Sequence, residues 1–256
     1  MDQEPTETAA PEIERPKRGR GIYLLPNLFT TAALFAGFYA VLAGMNDHFE
    51  KAAIAIFLAM ILDGMDGRVA RMTHTQTAFG AEYDSLSDMV AFGLAPSLVM
   101  YEWSLSSLGK IGWMAAFIYT AGAALRLARF NSQLDTADKR FFTGLPSPSA
   151  AAILAGLVWV AVDNELPADR MAWLAALFTA GAGLLMVSNI RFHSFKQIDF
   201  KGKVPFFVIV AVMLAFAVIL SEPPLVLFAM FFVYTLSGPA LALQRRMKKR
   251  KAKSAP

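Results

Sequence analysis

Residues 52–71 read AAIAIFLAMILDGMDGRVAR, an apolar stretch that ends in two acids and two arginines. A helix needs about 20 predominantly apolar residues to cross a bilayer, so this stretch predicts a membrane-spanning helix. At about 1.5 Å rise per residue from its start, Asp63 lies roughly 16 Å into the membrane and Asp66 roughly 21 Å. The stretch therefore places two carboxylates in the inner half of the hydrocarbon core, where charge is costly.

The rest of the chain has the same apolar character. Hydrophobic residues make up 56% of the 256 positions and charged residues 17%, below the roughly 25% usual for soluble domains. A soluble all-α protein is disfavoured because the long apolar runs have no polar face. In lipid, a single apolar run can satisfy its backbone hydrogen bonds only as a helix. We therefore predict an all-α integral membrane protein with about eight transmembrane helices. The apolar runs cover residues 22–45, 52–71, 80–103, 108–130, 147–162, 171–188, 204–220 and 225–243.

Basic residues are concentrated in every second connection between these runs. If both termini are cytoplasmic, 21 of the 24 Lys and Arg residues lie inside, and Lys51, Lys110 and Arg170 lie outside. This asymmetry follows the positive-inside rule, so we expect both termini in the cytoplasm. Because the basic residues flank membrane spans, they favour lipid headgroups over nucleic acid as their partner.

The sequence divides into one membrane-embedded domain and two polar tails. Residues 1–21 are polar and lack an apolar core, which is typical of a disordered cytoplasmic tail rather than a signal peptide. We expect the membrane-embedded domain over residues 22–243 and a basic cytoplasmic tail over residues 244–256. Because the sequence contains no cysteine, a disulfide, a thiolate nucleophile and a Cys-based metal site are excluded.

A second pair of acids follows in the next apolar run. Asp84 and Asp88 recur at a four-residue step after Gly80, so they share one side of a helix, as Asp63 and Asp66 do on the preceding helix. All four acids fall at similar depth. Facing carboxylates repel one another unless a cation compensates them, and an all-oxygen cluster suits Mg²⁺ or Mn²⁺.

The chemistry of these acids leaves three interpretations open. Divalent cations beside a cytoplasmic cavity can neutralise a pyrophosphate substrate and stabilise a leaving phosphate, as in an enzyme. The acids can instead pair with Arg68 and Arg71 as structural ion pairs, or form a cation or proton pathway through a transporter.

The spacing of the acids resembles the complete signature of the CDP-alcohol phosphotransferases. The matching positions are Asp63-x-x-Asp66-Gly67-x-x-Ala70-Arg71 and, after eight residues, Gly80-x-x-x-Asp84-x-x-x-Asp88. Further segments are similar to the phosphatidylserine synthase branch of that family. They are residues 79–88, 92–96, 125–131, 144–148 and 186–188, which read FGAEYDSLSD, FGLAP, LRLARFN, GLPSP and MVS.

The resemblance implies a reaction and a role for each signature residue. Such enzymes transfer a phosphatidyl group from CDP-diacylglycerol to a small alcohol, here L-serine, and release CMP, so residues 22–243 would be the catalytic domain. Asp88 would also be the base that takes the proton from the incoming hydroxyl. The ligands implied for Mg²⁺ or Mn²⁺ are Asp63, Asp66, Asp84 and Asp88. The residues implied to bind CDP-diacylglycerol are Asn27, Thr30, Gly67, Ala70, Arg71 and Gly80.

Candidates for the acceptor site lie near the cytoplasmic end of the fourth run. Arg126 and Arg129 are one turn apart there, with Asn131 beyond them. Serine carries a carboxylate, and the planar guanidinium of arginine binds carboxylates through two parallel hydrogen bonds. We predict that these three residues bind serine's carboxylate or the lipid phosphate, with ordinary positive-inside arginines as the alternative.

The resemblance also implies a homodimer in a bacterial inner membrane, with the active site facing the cytoplasm. CDP-diacylglycerol would enter sideways from the bilayer, and serine would enter from the cytoplasm. Glycerol-3-phosphate, inositol phosphate or choline as acceptor would keep the same chemistry. A cation transporter would need acids on the outer side, where the second and third helices offer only Glu50 and Glu102, which fit ordinary loop ends.

Overall fold

The computed structural model of the chain describes residues 24–73, 75, 77–132, 141–193 and 206–253, and these residues are almost entirely helical. The helices are α1 (Leu24–Met45), α2 (Phe49–Thr73), α3 (Ala78–Asp88), α4 (Ala95–Trp103), α5 (Lys110–Ser132), α6 (Ser147–Asp163), α7 (Ala168–Val187), α8 (Phe206–Ser221) and α9 (Pro223–Lys253). The other elements are a π-helical turn (Met89–Leu94), a 3₁₀ turn (Leu105–Leu108) and two strands, β1 (Phe141–Thr143) and β2 (Arg191–His193).

Each predicted apolar run is helical over almost all the residues that the structure describes. Four helices, namely α1, α5, α7 and the first part of α9, are long and apolar enough to cross a membrane, and α6 and α8 are apolar but shorter. Helix α2 is also long, but it carries the acids and arginines of the signature in its second half. A mostly helical membrane fold is therefore confirmed, whereas the number of eight spans and the orientation of the termini stay predictions.

Two local features go beyond the prediction of an all-α fold. The strands β1 and β2 form a small antiparallel sheet in the connections before α6 and after α7. Helix α9 covers the apolar run at residues 225–243 and continues to Lys253, because Gln, Lys and Arg are good helix formers. The predicted tail at residues 1–21 lies outside the described residues.

Helix α6 is the centre of the bundle. Residues 150–158 are all buried, and α2, α4, α7 and α9 pack around this helix. Most of these buried residues are small, which lets neighbouring backbones approach closely. Helix α8 packs mainly against α9 and exposes most of its apolar side chains, as expected of a surface that faces lipid.

The π-helical turn begins directly after Asp88 and joins α3 to α4 in one continuous helical path. Helix α1 packs tightly against it, because a Cβ added to Gly37 would lie 2.6 Å from the Cα of Ala91. On the other side, the buried hydroxyl of Tyr119 donates a hydrogen bond of 2.9 Å to the carbonyl of Phe92. Single π-helical turns are frequent at functional sites, and here contacts from α1 and α5 fix the turn at the end of α3.

The two strands connect the loop before α6 to the end of α7. They pair with Phe142 opposite Phe192, and the buried ring of Phe192 leaves no room for a Cβ at Gly238 of α9. The backbone N–H of Gly144 donates to the carbonyl of Ile190 at 2.8 Å. These contacts fix where α6 begins.

Substitution of Gly144 should destabilise this junction. Gly144 has φ +82°, and a Cβ there would collide with the carbonyl oxygen of Met186. The left-handed backbone alone costs an L-residue about 1–2 kcal/mol, and the collision adds to it. We expect Gly144→Ala to lower the apparent midpoint of thermal unfolding in detergent by roughly 5 °C or more.

Two variants separate the backbone strain at Gly144 from the collision with Met186. Gly109→Ala has φ +55° but open space around the Cβ, so it measures backbone strain alone. Gly181→Ala lies within α7, where a Cβ meets nothing within 4 Å, and it should leave the midpoint unchanged or slightly raised. If Gly144→Ala unfolds at the same temperature as Gly109→Ala, the backbone contact with Met186 contributes nothing.

Candidate active site

Helices α2 and α3 bring three carboxylates together. Asp63 and Asp66 lie one turn apart on α2, Asp84 lies on α3, and one oxygen from each is within 4.8 Å of the others. The start of α3 is set by Thr77, whose Oγ1 accepts a hydrogen bond of 3.0 Å from the backbone N–H of Gly80. Such an N-cap satisfies a backbone donor that the helix itself cannot pair. The cap therefore sets the register that places Asp84 opposite α2.

Asp66 is the most buried member of the cluster, at 5% exposure. The hydroxyl of Thr30 on α1 donates a hydrogen bond of 2.7 Å to Asp66 Oδ2. The carboxylates of Asp66 and Asp84 are within hydrogen-bond distance of each other. Two carboxylates at this separation need a shared proton or a cation between them.

The cluster fits a divalent cation by its chemistry. All three donors are carboxylate oxygens, which Mg²⁺ and Mn²⁺ prefer. Oxygens that share such an ion lie roughly 2.1 Å from it, so a mutual separation within 4.8 Å requires only small side-chain shifts. Arg71 lies near Asp66, but a single guanidinium cannot neutralise three carboxylates. Asp63, Asp66 and Asp84 are thus a set of residues that can hold a metal ion.

Asp88 lies beside this cluster, one helical turn beyond Asp84. Its carboxylate lies close to that of Asp63 and interacts electrostatically with Asp84 and with the guanidinium of Arg126. It is separate from the three oxygens that lie within reach of one ion. Asp88 therefore lies between the carboxylate cluster and an arginine of α5, while its roles as a metal ligand and as a base stay predictions.

A cavity of about 300 Å³ adjoins the carboxylates. This volume is at the lower end of the range for small-molecule sites. All the residues predicted to bind CDP-diacylglycerol line it, and so do Asp66 and Asp84. The predicted residues are Asn27, Thr30, Gly67, Ala70, Arg71 and Gly80. The cavity and the carboxylate cluster are therefore continuous.

Four further residues line the cavity without having been predicted as ligands. They are Pro26, Thr75, Thr77 and Ala81. Thr77 precedes Gly80 by three residues at the start of an apolar run, a pattern that indicates an N-cap and could have located it. The sequence carries no comparable signal for Thr75, which is buried because the turn after α2 folds back, with its N–H donating to the carbonyl of Ala70 at 3.0 Å.

Small residues keep the cavity open. A Cβ added to Gly80 would lie 3.1 Å from Thr77 Oγ1 and 3.4 Å from Asn27 Oδ1. A Cβ added to Gly67 would lie 3.6 Å from Arg71 Nη1. Larger side chains at either position would occupy the space between α1, α2 and α3.

Of the three residues predicted for the acceptor, Arg126 alone is brought to the carboxylates. Its guanidinium interacts electrostatically with Asp88 and donates from Nη1 to Ser147 Oγ at 2.5 Å. Arg129 Nη1 lies 3.4 Å from the carbonyl of Ser188, and Asn131 Nδ2 donates to Ser85 Oγ at 3.0 Å. These two side chains therefore connect α5 to α7 and α3.

The region that contains all these residues matches one known family. The family model for CDP-alcohol phosphatidyltransferases matches residues 23–187, more than half of the chain. The chain belongs to the CDP-alcohol phosphatidyltransferase family. The matched residues extend from α1 to the end of α7 and so include both the cavity and Arg126.

Relatives of this CDP-alcohol phosphatidyltransferase carry the name CDP-diacylglycerol–serine O-phosphatidyltransferase. One from Helicobacter pylori (strain ATCC 700392 / 26695) is 38% identical over 197 residues, which cover 76% of this chain and 82% of the relative. One from Mycobacterium leprae (strain TN) is 36% identical over 182 residues, covering 69% of this chain and 60% of the relative. One from Bacillus subtilis (strain 168) is 34% identical over 176 residues, covering 68% of this chain and 92% of the relative.

Removal of one carboxylate should weaken metal binding. Asp66→Asn keeps the side-chain shape but removes a charge and a ligand oxygen, so we expect the affinity for Mn²⁺ to fall at least about tenfold. Electron paramagnetic resonance of Mn²⁺ added to the purified protein measures the bound fraction directly, without substrate. Glu82→Gln is the matched control, because Glu82 is exposed on α3. Equal affinity in both variants would mean that the ion binds elsewhere.

Proposed function

We propose that this protein transfers the phosphatidyl group of CDP-diacylglycerol to the hydroxyl of L-serine, giving phosphatidylserine and CMP. The observation that carries the proposal is the continuity between the cavity and the carboxylate cluster, since Asp66 and Asp84 belong to both. A nucleotide bound in the cavity would have its pyrophosphate beside the carboxylates. Serine as the acceptor is supported by the names of the relatives.

The cavity residues would bind the nucleotide end of the lipid. Asn27 and Thr30 would contact it from α1, Gly67, Ala70 and Gly80 would allow its close approach, and Arg71 would contact phosphate. Asp63, Asp66 and Asp84 would hold Mg²⁺ or Mn²⁺, with Asp88 as the fourth ligand. When bound, the metal would neutralise the pyrophosphate and the leaving CMP.

Asp88 would act as the general base. An alcohol is a poor nucleophile, and a carboxylate within hydrogen-bond reach can take its proton as the new bond forms. The serine oxygen would attack the phosphorus that bears diacylglycerol, the proton would pass to Asp88, and the bond from phosphorus to the CMP oxygen would break.

Arg126 would hold serine's carboxylate. Its guanidinium faces Asp88, and serine carries its hydroxyl on the carbon next to the one that bears the carboxylate. An acceptor bound to Arg126 by its carboxylate can therefore present its hydroxyl to Asp88. Arg129 and Asn131 would support this side of the site from the end of α5.

The membrane placement belongs to the same proposal. Residues 22–243 would form the catalytic domain with eight spans in a bacterial inner membrane, with both termini and the active site on the cytoplasmic side. Residues 1–21 and 244–256 would be cytoplasmic tails, and the active form would be a homodimer. The lipid substrate would reach the cavity from the bilayer, and serine and CMP would exchange with the cytoplasm.

Release of CMP from CDP-diacylglycerol tests the reaction. The purified protein is given serine, glycerol-3-phosphate, inositol phosphate or choline separately, with Mg²⁺ or Mn²⁺. We expect release that depends on serine and on metal. Asp88→Asn should lower kcat by about a hundredfold or more, the usual contribution of a general base, whereas Asp163→Asn, at the exposed end of α6, should not.

Other outcomes would replace parts of the proposal. Release with a different acceptor would retain the chemistry and reject serine. No release with any acceptor, from folded protein supplied with lipid, would reject the transferase and favour a transporter that uses the same aspartates.

A larger residue at Gly80 should weaken binding of the lipid substrate. Gly80→Val would fill the space next to Asn27 and Thr77, so we expect the KM for CDP-diacylglycerol to rise about tenfold or more. Affinity for Mn²⁺ should stay within about twofold, because the carboxylates are unchanged. Gly64→Val is the control, since a Cβ at Gly64 on α2 meets nothing within 4 Å. Equal KM values in the two variants would place the nucleotide outside this cavity.

A further inference from the structure

The guanidinium of Arg126 hydrogen-bonds with a neutral partner and interacts electrostatically with two acids. Its Nη1 donates to Ser147 Oγ at 2.5 Å, and Asp88 and Asp63 are the acids near it. Tyr119 and Tyr234 also lie close to the guanidinium. A hydroxyl accepts a hydrogen bond without neutralising the positive charge. Ser147 can therefore hold Arg126 in place and leave its charge available to a ligand.

The backbone holds Ser147 in a defined position. The residue is fully buried and is the first residue of α6. It stands between Pro146 and Pro148, and a proline ring fixes the backbone angle φ. Just before it, Leu145 N–H donates to the carbonyl of Leu185 at 3.0 Å. The Ser147 hydroxyl thus has little freedom to follow a moving arginine.

The position of Arg126 decides where an acceptor carboxylate can bind. Arginine binds carboxylates through a planar fork, so rotation of the guanidinium moves the favourable position of the ligand. Long charged side chains adopt many rotamers unless they are held. A fixed partner on Nη1 restricts the orientations that the other donors of the guanidinium can adopt.

We propose that Ser147 is a positioning residue that orients Arg126 for the carboxylate of the amino-acid acceptor. This inference rests on the proposed function. Ser147 contacts neither the cavity nor the carboxylate cluster, and it acts through Arg126. It makes the site selective for acceptors whose carboxylate is borne by the carbon next to the hydroxyl-bearing carbon, and it has no effect on the nucleotide end.

Steady-state kinetics of Ser147→Ala test the inference. We expect the KM for serine to rise about tenfold, the factor that one hydrogen bond to a charged group provides. The KM for CDP-diacylglycerol should stay within about twofold. Ethanolamine, which has the hydroxyl and the ammonium group but no carboxylate, serves as a competing acceptor. The preference of the protein for serine over ethanolamine should fall by the same factor of about ten.

Three variants accompany Ser147→Ala. Ser147→Thr keeps the hydroxyl and should restore the KM for serine. Arg126→Lys keeps the charge but loses the planar fork, so it should also raise the KM for serine. Ser149→Ala removes a hydroxyl in the same turn of α6 and should change neither constant. The midpoint of thermal unfolding is recorded for each variant.

The outcomes separate the inference from the proposed function. A folded Ser147→Ala variant with an unchanged KM for serine overturns the inference. A parallel rise in both KM values with a lower unfolding midpoint also overturns it, because a merely structural role would give that result. If the wild-type protein releases no CMP with serine, the proposed function fails, and the inference fails with it.

Discussion

The hydrogen bond from Thr30 to Asp66 joins α1 to a carboxylate within an apolar bundle. Asp66 is nearly inaccessible and lies next to Asp84, so its charge needs compensation that lipid cannot supply. Three helices must therefore meet at this point and keep their register. The N-cap at Thr77 and the tight contact of α1 with the π-helical turn hold α3 in the register that places Asp84 next to Asp66.

The site has two sides that meet at Asp63 and Asp88. One side, formed by α1, α2 and α3, contains the cavity and the carboxylates. The other side, formed by α5 and the start of α6, contains Arg126 and its partner Ser147. The proximity of Asp63 to Asp88 brings the two sides together. A reaction that joins a nucleotide-activated lipid to a small polar acceptor needs such an arrangement, because the two substrates differ in size, charge and route of entry.

Much of this arrangement could be predicted from the sequence, because the local periodicity of apolar and acidic residues determines the helices and their faces. The four-residue and three-residue steps of the aspartates fix their helix faces, and long apolar runs can only be helices in lipid. What the sequence did not predict depends on contacts between distant segments. The π-helical turn after Asp88 depends on Gly37 and Tyr119, and the partner of Arg126 depends on a serine 21 residues away. The small sheet pairs strands about 50 residues apart, and neither strand has a pattern of its own.

The docking of Phe192 on α9 has a consequence for biosynthesis. The ribosome makes the segment from α1 to α3 early, and this segment contains every residue that lines the cavity. The start of α6, however, is held through β1 and β2 by a ring that packs against Gly238, which is synthesised after all the site residues. Domains generally fold as units, from the N-terminal side first, during synthesis. The contacts that hold the start of α6 are therefore complete only after α9 has been synthesised, whereas the segment that lines the cavity is already present.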